Sequence, residues 1–439
     1  MRLRRAWIVL ALGLIGLALA MVTGREMYYR LTYLLLAILI ISALWAWSSL
    51  YGLRLGRYTR AQRAQVGRVL EEQLAVRNAS WLPKLLVVVR DRSSLPGHHP
   101  SRVVHSLGAG KEFDWLVRTL CEERGDFRLG PVTISGNDPL GLFERRREFP
   151  QTSRIVVYPA IVSVGTLPPP RGPLPGGDAL RRRTHHITPN AAGVRDYVPG
   201  DSFARIHWAS TARKNRLIVK EFELDPMSDV WIFLDMQHRV QAAAENVVEG
   251  TRDADRTEIP LWRRIQEFSL PPSTEEYSIA TAASVANAFL QQQYAVGLVS
   301  YGQRREAIQA DREQRQRIKL LETLAMLHAE GSMPFGHVLS AEGSRLARGT
   351  TLVAISPSTR QDWVKSALYL SDRGLRVVAI LVDAASFGGP AGADALKDRL
   401  LAAGIPAVIV QKGVPLVESL NALSISTRTR APARPSPGV

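Results

Sequence analysis

Cysteine is almost absent from this 439-residue chain: Cys121 stands alone. One thiol excludes a disulfide framework and a four-thiolate zinc site, and it suits the reducing side of a membrane. Acids are scarce beside bases, 40 Asp and Glu against 56 Lys and Arg, which leaves a formal net charge of +16. A potential of that sign favours anionic neighbours without separating lipid from nucleic acid. Hydrophobic residues make up 46%, enough for one or two cores, so wholesale disorder is excluded.

Charge is missing altogether from the 17 residues Ala6–Val22, which at 1.5 Å rise per residue span about 25 Å, the lower edge of a membrane helix. It is missing again from Leu31–Leu53, whose Trp45, Trp47 and Tyr51 stand where a headgroup belt would be. Arg2, Arg4 and Arg5 before an apolar run ending in small residues also describe a signal peptide. The second span follows after only Thr23–Arg30, however, which is the pattern of a two-helix hairpin over residues 1–53. Three cations precede the hairpin, Arg25 and Arg30 lie inside it, and Arg54, Arg57, Arg60, Arg63 and Arg68 follow. The positive-inside rule then puts both termini in the cytoplasm and makes the chain a multi-pass protein of the inner or plasma membrane. Read as a helix, Arg54–Arg68 lays several cations on one face against lipid; read otherwise, it is a solvated connector.

From Val66 the pattern shortens to alternating segments: Val69–Val76, Leu85–Arg90, Val103–Leu107, Phe113–Leu120, Phe127–Leu129, Val132–Ser135 and Ile155–Tyr158. Turn residues separate them, and the spacing predicts a small antiparallel, sandwich-like β domain over 54–166. No site chemistry is visible in it. Gly110-Lys111 fails as a phosphate loop, because Glu112 replaces the hydroxyl residue and His105 the first glycine. Residues 167–184, rich in Pro and Gly, read as a linker. His185 and His186 point to opposite faces of a strand and have no third ligand nearby.

The most informative stretch runs from Arg195-Asp-Tyr197 through Gly200-Asp201, Arg205, His207-Trp208 and Arg213. It resembles the signature of the bacterial and archaeal family called domain of unknown function 58. Gly125–Val132, Asp138-Pro-Leu-Gly-Leu-Phe143 and Leu217–Glu221 look like flanking parts of the same family. Physically, Asp201 four residues before Arg205 suits an ion pair on one helical turn, and Trp208 suits an apolar anchor. His207 and Arg213 suit hydrogen bonds to carboxylates such as Glu221 and Glu223. Such a set describes a buried polar network at a domain junction, or a binding or catalytic site; no nucleophile is identified in it.

Beyond the cassette, Asp229–Asp235 is a continuous apolar strand ending in a carboxylate. Helical and strand patterns then alternate: helices at Tyr277–Gln292, Asp311–Ala329, Trp363–Ser371 and Asp394–Ala403, strands at Ala295–Tyr301, Thr351–Ser356, Val377–Asp383 and Ala407–Gln411. This predicts an α/β Rossmann-like domain over 185–423 with a mostly parallel sheet. The resemblance implies that it is von Willebrand factor A-like. Domains of that type often hold a divalent cation through Asp-x-Ser-x-Ser, but here Asp235-Met-Gln-His-Arg239 lacks both serines. The expectation is a degenerate site at Asp235 and no cofactor. Residues 237–276 form an insertion beside the strand end, with Ala242–Val248 and Leu261–Phe268 as short helices, and 424–439 form a disordered tail.

Together these features describe a membrane-anchored cytoplasmic interaction module that uses lipid and protein contacts. The resemblance implies a MoxR-type AAA+ ATPase as partner, alongside transglutaminase-like membrane proteins, in complex assembly or envelope function. The alternative is an enzyme using Asp201, Arg205 and His207. Nucleic acid is disfavoured, because the bases are dispersed and lack interleaved aromatics.

Overall fold

The computed structural model describes residues 2–3, 5–165, 191–198, 206–222, 229–244 and 270–428. Contacts divide the chain into two compact units, one on Met1–Ala160 with Glu245–Pro272 and Leu321–Leu327, the other on Ile161–Ala244, Ser273–Leu320 and His328–Val439.

The uncharged runs are helical, as Ala6–Thr23 (α1) and Glu26–Ser49 (α2), both long and apolar enough to cross a membrane. The turn is tighter than the sequence suggests. Gly24, at φ +64°, closes α1 by donating its N–H to Ala20, and α2 begins two residues later, taking in the Glu26–Arg30 stretch expected to be loop. Buried positions on the pair are small, Gly16 and Ala20 on α1 and Ser42, Ala46 and Ser49 on α2, while Leu, Ile and Met side chains point outward. Close approach through small residues with an apolar exterior is how helices associate in lipid.

The remainder of the first unit is sheet. Its strands are β1 (Arg2–Leu3), β2 (Leu53–Thr59), β3 (Arg63–Gln65), β4 (Val69–Asn78), β5 (Lys84–Asp91) and β6 (Arg102–Leu107). Then follow β7 (Glu112–Leu120), β8 (Gly125–Leu129), β9 (Val132–Asn137), β10 (Phe143–Phe149) and β11 (Ser153–Tyr158). They form an antiparallel sheet in the order β1-β10-β9-β5-β6, a second antiparallel sheet β2-β4-β7, and a mixed sheet β3-β11-β8 in which β3 and β11 run parallel. The first two sheets share one core: Leu53, Leu55, Leu74, Val76 and Trp115 meet Val87, Val89, Val104, Val132 and Ile134. The arginine run after the hairpin is therefore not helical. Leu53 and Leu55 are buried with Arg54 exposed between them, a period of two that commits the segment to β2.

In the second unit Val230–Leu234 (β14) is buried at every residue, as its apolar run requires. It lies between Val296–Tyr301 (β15) and Thr351–Ser356 (β17), followed outward by Arg376–Val382 (β18) and Ala407–Val410 (β19), all parallel. The other edge is Arg305–Asp311 (β16), antiparallel to β15, a strand the sequence pattern did not announce. The helices after β14 are α4 (Thr274–Gln291), α5 (Gln314–Met326, whose residues from Leu321 on belong to the first unit), α6 (Phe335–Gly343), α7 (Asp362–Asp372), α8 (Ala393–Ala402) and α9 (Leu416–Arg428). Earlier in the chain α3 (Trp208–Lys214) sits between β12 (Ala191–Asp196) and β13 (Ile218–Phe222), a separate antiparallel pair. Residues 424–428 continue α9 and so correct the expected tail, whose remainder, like the linker at 167–184, lies outside the described residues.

Candidate functional site

The cassette is built on the β12–β13 ladder, with α3 in the connection. Arg195 lies opposite Val219, and the Tyr197 N–H donates to Leu217 O at 2.9 Å. His207 is the N-cap of α3: its Nδ1 accepts from Ser210 N at 3.2 Å and lies 2.7 Å from Ser210 Oγ, while its own N–H donates to Ile218 O at 2.8 Å. The imidazole thus satisfies a helix start. Ile218 N–H donates to Thr211 Oγ1 at 3.0 Å, tying α3 to β13. Gly200, Asp201 and Arg205, and with them the expected ion pair, lie outside the described residues, as does Glu223. One expectation is corrected: Trp208, expected as an apolar anchor, is 67% exposed. Arg213 is exposed as well, and Glu223, one of its expected carboxylate partners, lies outside the described residues. Arg216 and Asp196 pair at 3.0 Å, both well exposed, a contact worth little in water.

A second site lies where sequence pointed, at the end of β14. The chain leaves β14 for β15 on one side and returns to β17 on the other, so the switch point of the sheet falls between β14 and β17. Asp235 and Ser356 stand there, each at most 2% exposed. Ser356 Oγ donates to Asp235 Oδ2 at 2.6 Å, and Gln237 N–H donates to Oδ1 at 3.1 Å. Ser356 Oγ also accepts from Ser358 N at 3.0 Å, and Ser358 Oγ from Arg360 N at 3.3 Å. Burial pushes the Asp235 carboxyl up to about 6, against the opposing pull of those two hydrogen bonds. The Asp235 and Ser356 oxygens are engaged with protein donors.

The insertion after this strand has a closed stem. Ala243 bridges Ser273, Thr274 N–H donates to Ala242 O at 2.8 Å, and Ala242 N–H donates to Thr274 Oγ1 at 2.9 Å. Ala242–Ala244 are therefore not helical; residues 245–269, with the second expected helix, lie outside the described residues.

Sequence reasoning missed a buried charged cluster in the first unit. Arg57 on β2 reaches Glu72 on β4 at 2.9 Å and Asp91 on β5 at 2.8 Å, with all three side chains 3% exposed or less. His98 Nε2 lies 3.0 Å from Glu72 and its Nδ1 2.8 Å from Thr119 Oγ1. Thr59 Oγ1 donates to Glu72, and Ser93 Oγ to Asp91. Its members come from β2, β4, β5, the β5–β6 connection and β7, so no local spacing announces them. A shallow groove of about 470 Å³ in the same unit is lined by Arg60, Arg63, Gln65, Arg68 and Tyr158, with Arg60 already paired to Glu71 at 3.2 Å.

Comparison with known proteins returns the resemblance first read in the cassette. Residues 193–249 match the family model described as Protein of unknown function DUF58. A curated relative, the "Uncharacterized protein YeaD" of Bacillus subtilis (strain 168), is 27% identical over 258 residues, 56% of this chain and 63% of that protein. The match thus leaves more than a third of the relative's length outside it. Among solved structures, a CARDB domain from Pyrococcus furiosus aligns at 17% identity over 24% of this chain and 91% of that one, with a TM-score of 0.19. A β-glucosidase from Listeria innocua aligns at 15% identity over 23% and 16%, with a TM-score of 0.15.

Proposed function

We propose that the chain is a membrane-anchored contact module that works by docking and not by turnover. In this reading α1 and α2 hold it in the bilayer with both termini cytoplasmic, and the cassette is the surface offered to a partner. The observation that carries it is the exposure of Trp208, 67% open in the first turn of a helix that buries nothing, within the segment matched by the family model. A large amphipathic ring held out on a short capped helix is costly in water and is the kind of group that dominates contact energies once covered. Exposed Arg213 and Lys214 follow on the same helix, which suits an acidic partner face. A MoxR-type AAA+ ATPase is the proposed partner, with a transglutaminase-like membrane protein as a further member of the assembly. The first unit is proposed as a β-sandwich, the second as von Willebrand factor A-like, with its cation site degenerate at Asp235.

The test is capture of the ATPase by the full chain from detergent-solubilised membranes, wild type against Trp208→Ala. The variant is expected to lose the ATPase while keeping its thermal unfolding profile. Equal capture by the two chains, or turnover by the purified chain that disappears in His207→Gln, would overturn the proposal.

A further inference from the structure

We infer that the end of the β unit from which the helical hairpin emerges is itself a lipid-contacting surface, seated on anionic headgroups through Arg54 and Arg77 and reaching into them with Trp81. This rests on the proposed membrane anchoring.

The fold fixes the depth of that surface. Only Leu50–Gly52 separate α2 from β2, and both ends of the hairpin are tied to the same sheet. Lys84, only 1% exposed, donates from Nζ to Ser48 O at 2.6 Å, and Arg145 Nη1 donates to Trp47 O at 2.7 Å, so two cations complete the last turn of α2. At the other end β1 pairs with β10, and Leu142 and Phe143 pack against Ala6 of α1 and Ala46 of α2. Asp138 shapes that turn, accepting from Phe143 N at 2.7 Å and Leu140 N at 3.1 Å, with Gly141 at φ +67°. The β4–β5 loop is equally close: Ala79 N–H donates to Gly52 O at 2.8 Å, and a Cβ on Gly52 would meet Ser80 at 2.9 Å. Whatever depth the end of α2 takes in a bilayer, these two loops share it.

What they expose is the mixture found at a bilayer interface. Trp81 is 80% exposed, Tyr51 61% and Leu140 60%. Tyr51 stacks on Trp47 of α2 at 6.1 Å, which continues the aromatic belt from the helix onto the β unit. Arg54 and Arg77 stand directly opposite each other on β2 and β4, both exposed and, among the described residues, without an ion-pair partner. Like charges in that register repel; Arg77 also stands opposite the exposed Glu112 of β7, so the three together carry one net positive charge. Anionic headgroups at the same level convert the repulsion into attraction. Continuity with the hairpin selects lipid over a protein occupant.

The test uses the full chain reconstituted in phosphatidylcholine vesicles, with and without phosphatidylglycerol, and with brominated acyl chains as a contact quencher. The Trp81 emission is taken as wild type minus Trp81→Phe, and the Trp47 emission as wild type minus Trp47→Phe. Trp81 is expected to be quenched to the same fraction as Trp47, more so with phosphatidylglycerol, and the phosphatidylglycerol increment is expected to vanish in Arg54→Gln/Arg77→Gln. A quenched Trp47 with an unquenched Trp81 that remains open to aqueous acrylamide would overturn the lipid face while leaving the anchor standing. Failure to quench either would overturn the anchor, and the inference with it.

Discussion

Asn in place of Asp235 removes a charge that the fold holds at a cost, and the consequence is a stability profile with a definite sign. The folded carboxyl sits at about 6 against an ordinary 3.8, so the folded unit binds its proton more tightly than the unfolded chain does. Stability from this group is complete below pH 3.8 and is lost as pH rises through about 6. The full difference is about 3 kcal/mol at 1.36 kcal/mol per pH unit. The amide introduced by Asp235→Asn mimics the protonated acid and has no such dependence. The ratio of wild-type to Asp235→Asn protection in β14 and β17, read by hydrogen exchange on the full chain in mild detergent, cancels every other titration. Relative to pH 7.5 it should rise about tenfold by pH 5 and about sixtyfold by pH 4, from those two proton affinities. A ratio that stays flat, or that falls with acid, would refute the assignment of burial as the dominant influence on Asp235.

Other perturbations test other parts of the account. Replacing Arg57 by Met strands the Glu72 and Asp91 carboxylates in the core and should destabilise the β unit by about 3–5 kcal/mol, seen as lost exchange protection in β2, β4 and β7. A change below about 1 kcal/mol, the scale of an exposed pair, would show that the cluster is solvated. Glu342 behaves oppositely to Asp235. Arg305 grips it at 2.8 and 3.1 Å and Tyr301 at 2.7 Å, which holds its carboxyl down at about 2. Its contribution is present above pH 4.5 and fades toward pH 2, so the deficit of Glu342→Gln in urea midpoint should shrink as pH drops from 5 to 3. A deficit independent of pH would contradict that pairing.

The legible parts of this molecule are those with a strong one-dimensional signal. Uncharged runs gave both helices of the hairpin to within a few residues on α1, and the buried apolar run of β14, with Asp235 at its end, was readable because a strand covered on both faces has no polar alternation to confuse it. Arg54, Arg57 and Arg60 misled, since a spacing of three suits a helix; the alternation of Leu53 and Leu55 around Arg54 was the better signal. Edge and half-exposed elements carried little signal: β10 holds Glu144 to Glu148 without an apolar residue, and α6 contains Gly336 and Gly343, whose closeness to Trp363 and Leu370 is a packing reason invisible in sequence. At the cassette the residue types were visible but their surroundings were not. Trp208 reads as a core residue in one dimension and lies in solvent in three.

Vectorial labelling tests the anchored arrangement most directly. Cys121 is buried and its thiol is pushed up to about 11 by desolvation, so it stays silent toward maleimides in the folded chain. Single cysteines are introduced as Arg25→Cys, in the turn between α1 and α2, and as Lys412→Cys, on the exposed surface of the second unit. With a membrane-impermeant maleimide on intact cells, the Arg25→Cys chain should label at once and the Lys412→Cys chain only after lysis. Labelling of the Lys412→Cys chain from outside intact cells would contradict the account.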